Sequence, residues 1–302
     1  MAPRFDLQSH STHSDGVLPA AEVVQRAAAA GVELLALSDH DTISGVSEAI
    51  EEGERVGVRV VPAVEISAVD DGSSVPRELH ILGYCIDHTG AVMTERLTAF
   101  LADREKRTLR MRDALREVGF DLDEAEIDAR IAEGKPIGRP HLAGAVLRAP
   151  ANAERLKQES IDDVGSLIRG YLIEGKPAFR LRETPTVAEA VEAIHAAGGV
   201  AIWAHPGRDG TRQRVEAMVA LGLDGVEVSH PGHSMDDMNR LNALARHRDL
   251  LRSGGSDWHG ATDGPRVLGV MKVPDDWNEA QAVRAARYRP ADVWRSPAAS
   301  RS

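Results

Sequence analysis

One recurring pattern limits the fold most: short apolar runs alternate with amphipathic helical runs, and the alternation is broken once. An opening strand begins the stretch "FDLQSHSTHSDG", "LPAAEVVQRAAAAG" reads as a helix stopping at Gly31, and "VELLAL" reads as a buried strand. The cycle repeats with "SGVSEAIEEGERVG" as helix and "VRVVPA" as strand, which sets Glu65 just past the strand end. A further strand, "ELHILGY", carries His80. After the break the pattern resumes at "TVAEAVEAIHAAGG", where Thr186 and Glu189 have capping-box spacing, and the strand "VAIWA" leads to His205. "RVEAMVALG" with "DGVEVS" ends at His230, and "MNRLNALARH" with "LLRSGGS" ends at Asp257 and His259. So many units imply an α/β chain with a parallel sheet, closed into a barrel in preference to a doubly wound sheet.

The break runs over residues 93–184 and is helical and highly charged, as in "TERLTAFLADREKRTLRMRDALREVG" and "IDDVGSLIRGYLIEG". The expected organisation is a first barrel part at 1–92, a helical insertion at 93–184 acting as lid or substrate subdomain, and a second barrel part at 185–302. The charged helices read as solvated faces, and the tail "RSPAASRS" reads as frayed.

Polar residues fall where barrel active sites are built. His40, Glu65, His205, His230, Asp257 and His259 all lie at or just past the C-terminal ends of expected strands. Imidazoles mixed with carboxylates suit zinc, manganese or iron, and a shared carboxylate can bridge two cations. Such a pair acidifies a bridging water and neutralises charge on a phosphoryl group, so no serine or cysteine nucleophile is needed. There is no GxxxxGK loop and no dinucleotide fingerprint. A formal charge of -11 argues against binding duplex nucleic acid, while a local cationic pocket can still hold one phosphate. The only cysteine is Cys85, the first residues carry no apolar leader and no run is long enough to span a membrane, so a cytoplasmic setting is expected.

The ordered motifs "DLQSHSTHSDG", "LALSDHDT", "PAVEIS", "ELHILGY", "AHPG" and "GSDWHG" resemble those of the PHP (polymerase and histidinol phosphatase) family, and they cover both halves of the chain. The likeness is greatest to the small phosphoesterases acting on nucleotides, among them nucleoside 3',5'-bisphosphate and AMP phosphatases, which carry a helical insertion in the same place. The resemblance implies a distorted (β/α)7 barrel with two or three divalent metal ions, manganese first, with iron or zinc as alternatives. Residue by residue it implies His10, Asp15, His40, a bridging Glu65, His80, His205, Asp257 and His259 as ligands, with Glu65 and Asp15 catalytic. The family pattern begins His-x-His, whereas here it reads Gln8-Ser9-His10. A glutamine carbonyl is a poorer donor than imidazole, so weaker binding is expected at the site shared by Gln8, His10, Glu65 and Asp257. His13 reads as an exposed loop histidine.

On the substrate side, Pro140 in "GKPIGRPHLAG" sets Arg139 and His141 at a helix N-terminus, which attracts anions. Arg139 offers phosphate a planar two-point contact; its alternative is a surface ion pair. His230 is a candidate substrate contact or general acid, and Arg208, after "AHPG", a weaker contact. His88, His233 and His247 read as structural, and His195 as a helix C-terminal residue favoured by the dipole. Trp203 and Trp258 flank ligand positions and read as packing residues.

The expected activity is hydrolysis of a nucleotide phosphomonoester, a nucleoside 3',5'-bisphosphate or AMP, by a metal-bound hydroxide. Its alternatives are a 5' to 3' exoribonuclease on short oligonucleotides, a histidinol phosphatase, and a metal or nucleotide sensor without turnover, the last suggested by Gln8.

Overall fold

The computed structural model describes residues 4–72, 77–181, 183, 185–262, 264 and 266–269. The tail read as frayed lies outside them. Within them the alternation becomes one seven-stranded sheet in the strand order 1 to 7, with helices packed against it. Strand β1 (Phe5–Ser9), helix α1 (Ala20–Ala29), strand β2 (Leu34–Leu37), helix α2 (Val46–Val56) and strand β3 (Arg59–Asp70) make two parallel crossover units. Every residue of β1 and β2 is buried, as befits strands with both faces covered.

The sheet then departs from an all-parallel (β/α)7 arrangement. β3 does not stop before Glu65 but runs on to Asp70, because strand β4 (Arg77–Tyr84) folds back on it antiparallel, from Ala63 opposite Tyr84 to Asp70 opposite Arg77. Glu65 therefore lies inside a strand and not beyond its end, while His80 lies inside β4 as expected.

Helix α3 (Ala91–Glu117) explains the charged break. Met93, Leu97, Phe100, Arg104, Arg107, Thr108, Met111, Ala114 and Leu115 recur at spacings of three and four and are all buried. The first three join the apolar core over the sheet, and the last three join a second core. That second core also holds residues of α4 (Ala125–Ala132), α5 (Arg139–Arg148), α6 (Ala153–Gln158), α7 (Val164–Leu167) and the π-helical turn Ile168–Leu172. Arg104 and Arg107 sit where the two cores meet, so this stretch of helix is not the solvated face its charge suggests.

Helix α8 (Val187–Ala196) begins with the expected capping box: Glu189 Oε2 accepts from the Thr186 amide at 2.8 Å, and Thr186 Oγ1 accepts from the Glu189 amide at 3.3 Å. Strand β5 (Val200–Trp203) pairs antiparallel with β4. Helix α9 (Arg212–Ala220), strand β6 (Gly225–Ser229), helix α10 (Met235–His247) and strand β7 (Leu251–Gly254) restore parallel pairing. Beyond β7 the chain returns to β1: the Trp258 amide donates to the Gln8 carbonyl at 3.3 Å and the His10 amide to the Trp258 carbonyl at 2.9 Å. The Asp257 segment is thereby set beside the Gln8–His10 segment. Trp203 and Trp258 are both buried in apolar clusters, as packing residues.

Candidate metal centre

The loop after β1 is organised by Asp39, at the end of β2. Its Oδ1 accepts from the Ser11 amide at 2.7 Å and the Ser14 hydroxyl at 2.5 Å, and its Oδ2 accepts from the Ser11 hydroxyl at 2.7 Å. A Cβ at Gly16 would fall 2.3 Å from the His10 carbonyl oxygen, so the loop closes only with glycine there. These contacts hold His10 and Asp15 on the same side of the sheet as His40.

Glu65 is the hub. Its Oε1 lies 2.5 Å from His80 Nδ1 and 3.2 Å from His205 Nε2. Its Oε2 accepts from Gln8 Nε2 at 2.9 Å and lies 3.2 Å from His10 Nε2. Asp257 places Oδ1 3.2 Å from His10 Nε2 and Oδ2 3.5 Å from His230 Nε2, and the Arg266 guanidinium also contacts Oδ2. Asp15 lies 3.2 Å from His259 Nε2 and 3.8 Å from His40 Nε2. All nine residues expected as ligands thus converge.

Backbone strain collects here. Asp41, His205 and Asp257 are non-glycine residues with φ of 54°, 33° and 52°. The Asp41 amide donates to the Glu65 carbonyl at 3.0 Å, and the His205 amide donates to Glu227 Oε2 at 2.6 Å. Glu227, wholly buried in β6, was not legible as a site residue: in "DGVEVS" it reads only as an inward position of a strand.

Three sets bring their donor atoms within 4.8 Å of one another: His10, Asp15, His40 and His259; His40, Glu65 and His80; and His10, Glu65 and Asp257. Gln8 Oε1, both His10 ring nitrogens and His40 Nδ1 are buried with no hydrogen-bond partner among the described residues. His10 Nε2 lies near two carboxylates without hydrogen-bond alignment. Buried polar atoms are normally satisfied, and convergent unsatisfied imidazole and carboxylate donors are what divalent cations require. The residues fit such ions.

The charges are strongly coupled. Burial alone would raise the Glu65 pKa, but His40 and His80 hold it well below the usual carboxylate range. Burial likewise opposes ionisation of His10, yet Asp257 and Glu65 hold that imidazole well above its ordinary value. His40, more dominated by burial, is pushed down to about 3 and stays neutral, the form that donates to a metal.

Beside the cluster lies a cavity of about 420 Å³. Asp15, His40, Ser67 and His80 line it together with Arg104, Arg107, Arg139, Arg266, Ile168 and Ile173. Arg104 Nη1 donates to Asp41 Oδ2 at 2.7 Å, and Glu78 Oε2 accepts from both Arg107 (2.6 Å) and Arg139 (3.1 Å). Arg104 and Arg107 were hidden in the sequence by the many other charges of α3. His141 is buried at the start of α5, where its Nδ1 accepts from the Gly138 amide at 3.1 Å, which leaves the proton on Nε2. His230 has the same tautomer, its Nδ1 accepting from the Gly232 amide at 3.0 Å, and burial pushes it down to about 4. Arg208 lies exposed on the 207–209 turn, outside the contacts of the cluster. His13 is half-buried, 3.6 Å from Glu48, and His195 pairs with Asp224 at 2.7 Å. His233 accepts from the Gly207 amide at 3.0 Å and so props the turn after His205.

This geometry agrees with the comparisons. The PHP domain model matches residues 6–137. A 5'-3' exoribonuclease of Haemophilus influenzae is 37% identical over 86% of this chain and 91% of its own length. The chain belongs to the PHP domain family. A 3',5'-nucleoside bisphosphate phosphatase of Chromobacterium violaceum is 33% identical over 95% of this chain and 99% of its own. A solved structure from Chromobacterium violaceum, described as an amidohydrolase with bound sulfate and no metal, superposes with a TM-score of 0.78 at 30% identity, covering 96% of this chain and 99% of that one. With membership of the PHP family goes a class of chemistry, metal-dependent hydrolysis of phosphoric esters. The matched stretch carries Gln8, His10, Asp15, His40, Glu65 and His80, while His205, Asp257 and His259 lie beyond it and are brought to the same cluster by the fold.

Proposed function

We propose that this chain hydrolyses a nucleotide phosphomonoester, a nucleoside 3',5'-bisphosphate or AMP, with release of inorganic phosphate. The observation that carries the reading is the cavity: its volume of about 420 Å³ lies in the range of small-ligand sites, and carboxylate and imidazole groups of the cluster line it together with four guanidiniums. The bisphosphate phosphatase relative, similar over almost its whole length, supports it.

In this reading His10, Asp15, His40, Glu65, His80, His205, Asp257 and His259 hold two or three divalent ions, manganese first, with Glu65 shared and Gln8 at its edge. When bound, the ions supply Lewis-acid stabilisation of the phosphoryl oxygens and acidify the attacking water. Arg139, with Arg104 and Arg107 behind it, neutralises and orients the phosphate. His141, protonated on Nε2, is a neutral hydrogen-bond donor beside them. His230 presents Nε2–H toward Asp257, and its lowered pKa fits a hydrogen-bond donor better than a general acid. Ile168, Ile173 and Pro140 offer the apolar surface that a nucleoside needs.

The second reading is 5' to 3' exonuclease action on short RNA, favoured by the Haemophilus influenzae relative. The test, with metal-depleted protein resupplied with manganese, is phosphate release across AMP, adenosine 3',5'-bisphosphate, histidinol phosphate and an aryl phosphate, and release of mononucleotides from a short oligoribonucleotide series. Preference for a mononucleotide is expected. Cleavage of oligonucleotides alone would transfer the reading to the exonuclease, and metal uptake without any turnover would leave a sensor.

A further inference from the structure

The loop between β1 and α1 carries His10 and Asp15, and its backbone is held from two directions. Its amides are met close by: Asp39 accepts from the Ser11 amide, the Ser11 carbonyl from the Ser14 and Gly16 amides, and the Leu18 carbonyl from the Thr12 amide. Two of its carbonyls are met by the insertion. Arg130, in helix α4, donates through Nη2 to the Ser14 carbonyl at 2.5 Å and through Nη1 to the Thr12 carbonyl at 3.5 Å, while its Nε donates to the Pro136 carbonyl at 3.0 Å. One planar fork therefore joins the peptide leading into Asp15 to the helical insertion.

Helix α4 is itself anchored. Ile127, one turn before Arg130, is fully buried in the second apolar core, and Ile131 packs against that core. Arg130 is half-buried, so its bonds are charge-assisted and partly shielded from solvent. The insertion grips two further ligand-bearing segments. Arg104 of α3 pairs with Asp41, next to His40, and Arg107 of α3 and Arg139 of α5 share Glu78, two residues before His80 in β4. A segment that opens and closes is held by few buried contacts. Guanidiniums from three helices, set on the backbone or carboxylates of three ligand-bearing segments, are the opposite arrangement.

We propose that Arg130 is a positioning residue of the metal centre, and that the insertion braces the ligand-bearing segments in place instead of opening over them as a lid. The inference rests on the metal-centre reading and deepens it. Arg130 acts on Asp15 through the Ser14 carbonyl. Because linkage is reciprocal, whatever Arg130 adds to metal affinity the metal returns to the contact between α4 and the loop.

The experiment titrates manganese by calorimetry into metal-depleted wild-type chain, Arg130→Met, Arg130→Lys and Arg148→Met, and follows hydrogen exchange of the α4 amides with and without the metal. Arg148 is the control: it belongs to the insertion, but its pairs with Asp123 and Glu126 lie on the exposed surface. Arg130→Met is expected to weaken manganese binding about tenfold, the lower end of what loss of a ligand-orienting group costs. Arg130→Lys, which can keep one carbonyl, should regain part of this, and Arg148→Met should bind as the wild-type chain does. Manganese should slow exchange in α4 of the wild-type chain, and this protection should shrink in Arg130→Met. Should Arg130→Met not fold, Arg130→Lys and the wild-type exchange decide. Equal affinity in the Arg130 variants and the wild-type chain would overturn the proposal, as would an equal loss in Arg148→Met, the mark of a general effect on stability. Protection of α4 that answers to AMP and not to manganese would make the insertion a lid. A wild-type chain that takes up no manganese removes the metal-centre reading and the brace together, whereas uptake indifferent to Arg130 removes the brace alone.

Discussion

Gln8 Nε2 donates to Glu65 Oε2 at 2.9 Å, and both side chains are fully buried. The glutamine at position 8, where the family resemblance expects histidine, therefore supports the Glu65 carboxylate with its amide, and its carbonyl oxygen is left without a hydrogen-bond partner among the described residues. Groups that orient a metal ligand typically contribute about 10–100-fold in metal affinity. Gln8→Ala is expected to weaken manganese binding by about that factor. Gln8→His is expected to retain more metal per chain through dialysis, since imidazole is the better donor. Elemental analysis of both variants checks this, and a histidine variant that holds no extra metal refutes the account of position 8.

Arg104 is buried in the middle of α3 and pairs with the buried Asp41 at 2.7 Å, while its Nε donates to the Ile137 carbonyl at 2.8 Å. Removing one partner of a buried pair strands the other charge and costs about 3–5 kcal/mol. Arg104→Met, which keeps much of the volume, should lose stability of that order in urea unfolding. A loss under about 1 kcal/mol would mean that Asp41 is reached by water once the arginine is gone.

His141 gives a pH dependence with a definite sign. Burial, with the nearby Arg130 guanidinium, pushes its pKa from the ordinary 6.5 down to about 4. Between those values the unfolded chain takes up a proton that the folded chain refuses, so stability falls as pH drops below 6.5 and levels off below about 4. The loss between about pH 7.5 and about pH 5 amounts to roughly 2 kcal/mol from this residue. His141→Asn keeps an acceptor for the Gly138 amide and should flatten the profile by that amount. Parallel profiles for the two proteins would exclude the assignment.

Gly255 lies against β1: a Cβ there would fall 2.3 Å from Gln8 Cβ and 2.4 Å from the Gln8 amide nitrogen. Neither neighbour can yield without moving the strand. Gly255→Ala should therefore separate Asp257 from His10, lowering both stability, by about 1–3 kcal/mol as in overpacked cores, and metal retention. Thermal melts with and without manganese measure both; a variant with unchanged metal-induced stabilisation would show that the Asp257 segment adjusts.

Much of this was legible in the chain before folding. The helix and strand alternation places β2, β5, β6 and β7 within a residue or two, because buried strands and amphipathic helices write different periods. His80 was expected in a strand and lies in one, but Glu65 was placed past a strand end, since an antiparallel β4 lengthens β3, and pairing direction is decided by the partner strand. Arg104 and Arg107 were missed for a related reason: a buried arginine and a solvated one look alike in a charged helix until its neighbours are known.

The sequence by itself determined the PHP motifs, the ligand residue types and the break in the alternation, all of which depend on local order along the chain. Tertiary structure alone decided that Gln8 holds Glu65, that Glu227 anchors the His205 backbone, and that arginines from α3 and α5 line one cavity with residues of the cluster. Each of these joins residues far apart in sequence, and such contacts are fixed by burial, distance and the satisfaction of polar groups in the folded chain.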